Sequence, residues 1–155
     1  MRYEPRAACR LATLGFTQVY DYVPGKVDWL ARNQPVEGTD ADTPTIGRHL
    51  RHEVTTARPD ELIAQVRARV ARSAHRFSLV TTADGILLGR LRAAVLDDTD
   101  PTRAAGEVME AGPSTLRPHE PTAAIKDRLV GKGLTYAIVA DPDGRLLGTV
   151  HPGDL

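Results

Sequence analysis

"LTYAIVADPDGRLLGTVHPGDL", residues 134–155, reads as an apolar strand, an Asp-Gly turn and a second strand. Fifty-nine positions earlier, residues 75–96 read "HRFSLVTTADGILLGRLRAAVL", the same order of features. Asp84-Gly85 and Asp143-Gly144 are the dipeptides that tight hairpins favour, because the central residues of such turns need positive φ. Sliding residues 54–96 onto 113–155 needs no gap and finds 13 identities in 43 positions. Average composition yields roughly three by chance. An internal duplication therefore decides the fold.

Working outward, each copy opens on a short extended piece, "EVTTA" (53–57) or "GPSTL" (112–116), followed by a proline and an acidic residue. Amphipathic helices are predicted over 60–73 and 121–132. Leu62, Val66 and Val70 share a face in the first, and Ile125 and Leu129 match Val66 and Val70 in the second. Further upstream, "TIGRHL" (45–50) and "TRAAGEVM" (102–109) read as short lead-in helices. Helices covering one side of a mostly apolar sheet give an α/β (α+β) unit, duplicated in tandem.

The 155 residues carry 20 basic and 20 acidic side chains, and this balance argues against a nucleic-acid binder, which needs a basic face to displace counterions. Cys9 is the only cysteine, so neither an intramolecular disulfide nor a cysteine metal cage is possible. "MRYEPR" leads into no apolar run, and no stretch approaches the roughly 18–20 apolar residues that cross a bilayer. The expectation is a cytoplasmic protein with no nucleic-acid or membrane partner. His49 and His52 stand three apart without a third ligand at a matching spacing, so they read as solvated side chains. Neither a phosphate-binding Gly-x-x-x-x-Gly-Lys loop nor a Gly-x-Ser-x-Gly elbow occurs, and no catalysis is expected.

The β-α-β-β-α grammar of "HRFSLVTTADGILLG" and "LTYAIVADPDGRLLGTVHPGDL" resembles the cystathionine-β-synthase (CBS) domain, and two copies resemble the CBS pair, or Bateman module. The resemblance divides the chain into a linker at 39–45, a first repeat at 46–100 and a second at 101–155. It implies a non-catalytic regulatory module with no resident cofactor, sensing an adenosine-containing ligand (AMP, ADP, ATP or S-adenosylmethionine) in a cleft between the repeats. The alternative is a ligand-free platform for protein association. The site motif resembles Gly-x-x-Ser/Thr-x-x-Asp, whose carboxylate takes the two ribose hydroxyls. In the second copy Gly148 leads to Asp154, with His151 at the hydroxyl position. In the first, Gly89 leads to Val95, and the carboxylate is missing. The resemblance thus implies one nucleotide per chain, held by Asp154 and His151, with Val54 and Thr55 addressing the base and His75 and Arg76 the phosphate. Affinity is expected to rise as the pH falls toward six and His151 becomes a cation. A homodimer is implied as well, with Ile63 or Val130 facing the partner.

Residues 1–38 read as helix, strand ("TQVYDYV", 17–23) and helix. They resemble the last third of a rhodanese (sulfurtransferase) domain, without the persulfide-carrying cysteine that precedes the first helix there. Cys9 is expected to be a buried packing thiol, and Tyr20, Tyr22 and Trp29 to pack against the repeats.

Overall fold

The computed structural model describes residues 6–20, 22–39 and 41–155. In the first repeat, β1 (Thr56–Ala57) runs parallel to β2 (Phe77–Thr81), which pairs antiparallel with β3 (Leu87–Arg92). Helix α3 (Ile63–Val70) crosses between β1 and β2, and α4 (Ala93–Asp98) follows β3. Every residue of β2 is buried, which accounts for its lack of polar alternation, because both faces of this strand are covered. The second repeat builds β5 (Thr115–Leu116), α6 (Thr122–Gly131), β6 (Ala137–Ala140) and β7 (Leu146–Val150) with the same pairing, then a 3-10 turn at Pro152–Asp154. The fold is mixed α and β, in two sheets.

The two lead-in segments are exchanged. The 3-10 turn Ile46–His49 precedes the first repeat in sequence but buries Ile46 in the second core, with Leu116, Ile125, Leu129, Val139 and Val150. Helix α5 (Ala105–Val108) precedes the second repeat but buries Ala105 in the first core, beside Ile63, Val66 and Leu91. Matching hydrogen bonds fix both: Gly47 N–H donates to Pro118 O at 2.9 Å, and Gly106 N–H to Pro59 O at 2.8 Å. A Cβ at Gly47 would stand 3.0 Å from that proline oxygen, and one at Gly106 would stand 3.0 Å from the Pro59 Cβ. After α5, β4 (Glu110–Ala111) joins the edge of β3 and makes the first sheet four-stranded. Its counterpart, Arg51, bridges Thr149 of β7.

The halves meet about a pseudo-twofold axis. Phe77 and its counterpart Tyr136 stack with ring centroids 4.0 Å apart. Leu79, Ile138, Val54, Leu87 and Leu146 complete that apolar seam. The two hairpin turns cross-bond, with Leu87 N–H to Gly144 O and Leu146 N–H to Gly85 O, each 2.9 Å.

Before the repeats lie α1 (Arg6–Thr13) and α2 (Gly25–Ala31). Leu30 and Ala31 bury the end of α2 beside the Ile46–His49 turn. Three expectations are corrected here. The described residues of 17–23 form no strand and pair with neither sheet. Cys9 is exposed, because α1 turns toward solvent and leaves Leu11 and Leu14 exposed as well. Tyr20 is 86% exposed, and Tyr22 stays within the extension, edge-on to Trp29 and donating its hydroxyl to Asp28. Trp29 is half-buried and donates its indole N–H to Pro35 O at 2.8 Å. Ile63 is also corrected as a partner-facing residue: it is fully buried, because the helix starts there and turns it onto the sheet, whereas Val130 is 62% exposed.

Candidate functional site

Between the 51–58 segment and the end of α3 lies a cleft of about 860 Å³, lined by Arg51, Val54, Thr55, Arg72, Ser73 and His75 among others. Local bonding gives it firm walls. Thr55 O accepts from Leu79 N–H at 2.9 Å and from Ser78 Oγ at 3.1 Å, and the Val54 side chain belongs to the inter-repeat seam. Ser73 Oγ lies 2.6 Å from His75 O and 3.2 Å from His75 N, pinning the turn that carries His75.

Asp154 reaches this region from the far end of the chain. Arg51 donates through Nε to Oδ2 at 2.6 Å and through Nη2 to Oδ1 at 2.8 Å, a bidentate pair of the strong charge-assisted kind. Arg51 is itself placed by the backbone: its N–H donates to Thr149 O at 2.8 Å, and its carbonyl accepts from Thr149 N–H at 3.0 Å. The Arg51 hydrogen bonds hold the Asp154 carboxyl below the usual carboxylate range, and Asp154 in turn raises Arg51. A carboxylate has about four lone-pair positions, so Asp154 keeps acceptor capacity for hydroxyl donors beside the guanidinium.

His151 and His75 come together, stacked with centroids 5.3 Å apart, and Tyr136 lies next to His151. Burial pushes His151 below its ordinary value, reinforced by the charges of Arg51 and His75. Without a bound anion, the imidazole is therefore harder to charge than a free histidine, opposite in direction to the shift expected beside a phosphate.

Arg76 does not join this group. It lines smaller clefts nearby and points its guanidinium toward Asp97, 3.6 Å away. Val95 packs against the first hydrophobic core, so its position carries no polar group toward a ligand.

The pseudo-symmetric second cleft, about 610 Å³, is lined by Glu110, Ser114, Arg128, Lys132 and Tyr136 among others. Its ion pair has reversed polarity. Glu110, the counterpart of Arg51, accepts from Arg90 Nη2 at 2.9 Å and Arg92 Nη2 at 3.1 Å. Arg51 itself escaped the sequence reading, because it lies upstream of the aligned span. Its equivalence with Glu110 emerges only when the exchanged segments are seen together. Among the described residues no cluster of three or more His, Cys, Asp or Glu side chains is placed to hold a metal ion. No helix of the described residues is long and apolar enough to cross a membrane.

With this geometry in view, the CBS domain family model matches residues 105–155. No curated protein sequence matches the chain. Among solved structures, the fold is similar to the cytosolic domain of the Mg2+ channel MgtE in complex with ATP (TM-score 0.65, 21% identity). That alignment covers 73% of this chain and 48% of the MgtE domain, so the chain spans about half the length of that relative. It is similar to the CBS domains of a transcriptional regulator from Streptococcus pneumoniae (TM-score 0.65, 16% identity, 73% of this chain and 97% of that one). It is also similar to the CBS domain pair of protein MJ0100 in complex with 5′-methylthioadenosine and S-adenosyl-L-methionine (TM-score 0.61, 16% identity, 72% and 92%). Residues 105–155 thus match the CBS domain model, and the likenesses to solved structures show that the chain has the fold of a CBS-domain pair.

Proposed function

We propose that the chain is a non-catalytic, cytoplasmic regulatory module that senses an adenosine-containing ligand in the first cleft. The observation that carries this reading is the convergence of Asp154, through Arg51, with Val54, Thr55 and His75, although these groups are scattered over a hundred residues of sequence. Asp154 supplies paired acceptors suited to two vicinal hydroxyls, and Val54 and Thr55 line the cleft where a base would lie. The solved relatives that hold ATP, methylthioadenosine and S-adenosylmethionine support the ligand class. In this reading residues 46–100 and 101–155 are the two repeats, 39–45 is the linker, and 1–38 is a rhodanese-derived extension docked through α2, without sulfurtransferase activity.

Calorimetric titration of the chain with AMP, ADP, ATP and S-adenosylmethionine tests it. The expected result is one ligand per chain, abolished by Asp154→Ala. Full affinity after that substitution, or two equivalent sites, overturns the assignment of the site. Absence of binding by all four leaves the platform reading in its place.

The module is further proposed to form a homodimer through its helical face, where Val130 and Leu134 are exposed. Light scattering is expected to give twice the chain mass, and Val130→Glu to return it to one. A concentration-independent monomer rejects the dimer.

A further inference from the structure

We infer that Arg51 makes the first cleft selective for phosphorylated adenosine ligands over the sulfonium S-adenosylmethionine and the uncharged 5′-methylthioadenosine. The inference rests on reading this cleft as an adenosine site, and it concerns the charge that the ligand carries beyond its ribose.

Three carboxylates stand at or beside the cleft: Asp154, Glu61 and Glu53. Two are already neutralised, Asp154 by Arg51 and Glu61 by Arg69. Of the remaining cations, Arg58 donates to the carbonyls of Thr81 and Thr82, which leaves its charge uncompensated. Arg72 makes no ion pair among the described residues. Against these two cations stands Glu53 alone, and the imidazoles of His52 and His75 add polar N–H capacity. The cleft is therefore net positive even though the chain as a whole is neutral. A concave wall of one sign concentrates the field on whatever enters it.

Arg51 is the residue that sets this sign. Without it, Asp154 would restore an unbalanced negative charge at the ribose position. With it, Asp154 still accepts from hydroxyls through its remaining lone pairs, so ribose recognition survives while the electrostatic attraction for a cation is removed. A phosphate on the 5′ side meets favourable charge, and a sulfonium at the same place meets repulsion. The source of Arg51 fits this role, because the exchanged lead-in carries it from the first repeat onto β7 of the second. The second cleft, where Glu110 takes the same place, lacks it.

The test is calorimetric titration of the full chain with ADP, 5′-methylthioadenosine and S-adenosylmethionine at one pH and ionic strength. ADP is expected to bind at least about tenfold tighter than methylthioadenosine, with S-adenosylmethionine weakest and only the ADP affinity falling steeply with salt. Arg51→Gln removes the charge and is expected to shrink the ADP preference by about tenfold while improving S-adenosylmethionine relative to methylthioadenosine. Arg51→Lys keeps the charge and loses the fork, so it should retain the ADP preference. Equal binding of the three ligands, a uniform loss in Arg51→Gln, or loss of the preference in Arg51→Lys overturns the inference and leaves the adenosine site standing. If none of the three binds the unaltered chain, both fall together.

Discussion

Gly148 lies directly beneath Arg51: a Cβ built at Gly148 would stand 2.5 Å from the Arg51 carbonyl oxygen, and Gly148 has φ of +153°. The close approach lets the lead-in bridge β7 and so carries the guanidinium to Asp154. Its counterpart Gly89 meets Glu110 in the same way, with a Cβ 2.9 Å from that carbonyl oxygen. Gly148→Ala is therefore expected to destabilise the fold by about 1–3 kcal/mol through a backbone clash that no rotamer relieves. Gly153→Ala, one residue from Asp154 with nothing within 4 Å of its Cβ, should stay within about 0.5 kcal/mol. Urea unfolding of the two variants checks this, and equal midpoints contradict it.

The Asp154 carboxyl is expected to titrate below the ordinary aspartate range, because Arg51 hydrogen-bonds its charged form. The sign follows from the depressed value. Any contribution of the pair to stability is fully present above the unfolded-state pKa and is lost as the pH falls through the folded one. Carboxyl carbon shifts followed by NMR read it directly, and Arg51→Gln should return the titration toward the usual range. An unchanged midpoint in that variant would remove Arg51 as the cause.

His151 has its own pH signature. Its folded pKa is lowered by burial first, then by Arg51 and His75. The unfolded chain therefore takes up the proton first on acidification, and stability falls as the pH drops from the unfolded value, about 6.5, toward the folded one. The urea midpoint of the unaltered protein should drop between pH 7.5 and 5.5 by more than that of His151→Asn. A parallel pH dependence in the two proteins would show that some other group is responsible.

Cys9 should react with a thiol reagent in the native protein as fast as in a short peptide, because α1 exposes it. Cys9→Ala should change stability by less than about 0.5 kcal/mol, as surface substitutions usually do. Labelling that requires unfolding would contradict the exposed position.

The duplicated hairpins, both long helices and the two short lead-ins were legible in the sequence because local chemistry writes them. Asp84-Gly85 and Asp143-Gly144 need their turns wherever they sit, and Val66 and Ile125 repeat on a helical period that any apolar sheet would accept. The N-terminal extension was read less well. "TQVYDYV" has strand-like residues, but a strand exists only where another strand offers hydrogen bonds, and its described residues pair with neither sheet. Leu11 and Leu14 share an apolar helical face with Cys9 beside it, but a face is buried only if something covers it.

Of the candidate site, the sequence by itself singled out Asp154, through the contrast with Val95, and the family resemblance pointed to Val54, Thr55 and His75, which line one cleft. The tertiary structure alone decided Arg51. Side chains 103 residues apart met because each lead-in packs on the opposite repeat. That exchange depends on Ile46 and Ala105 filling the other half's core and on Gly47, Gly106, Gly89 and Gly148 allowing backbone to touch backbone. Those are conditions of shape between distant segments, and no local pattern of residues encodes them.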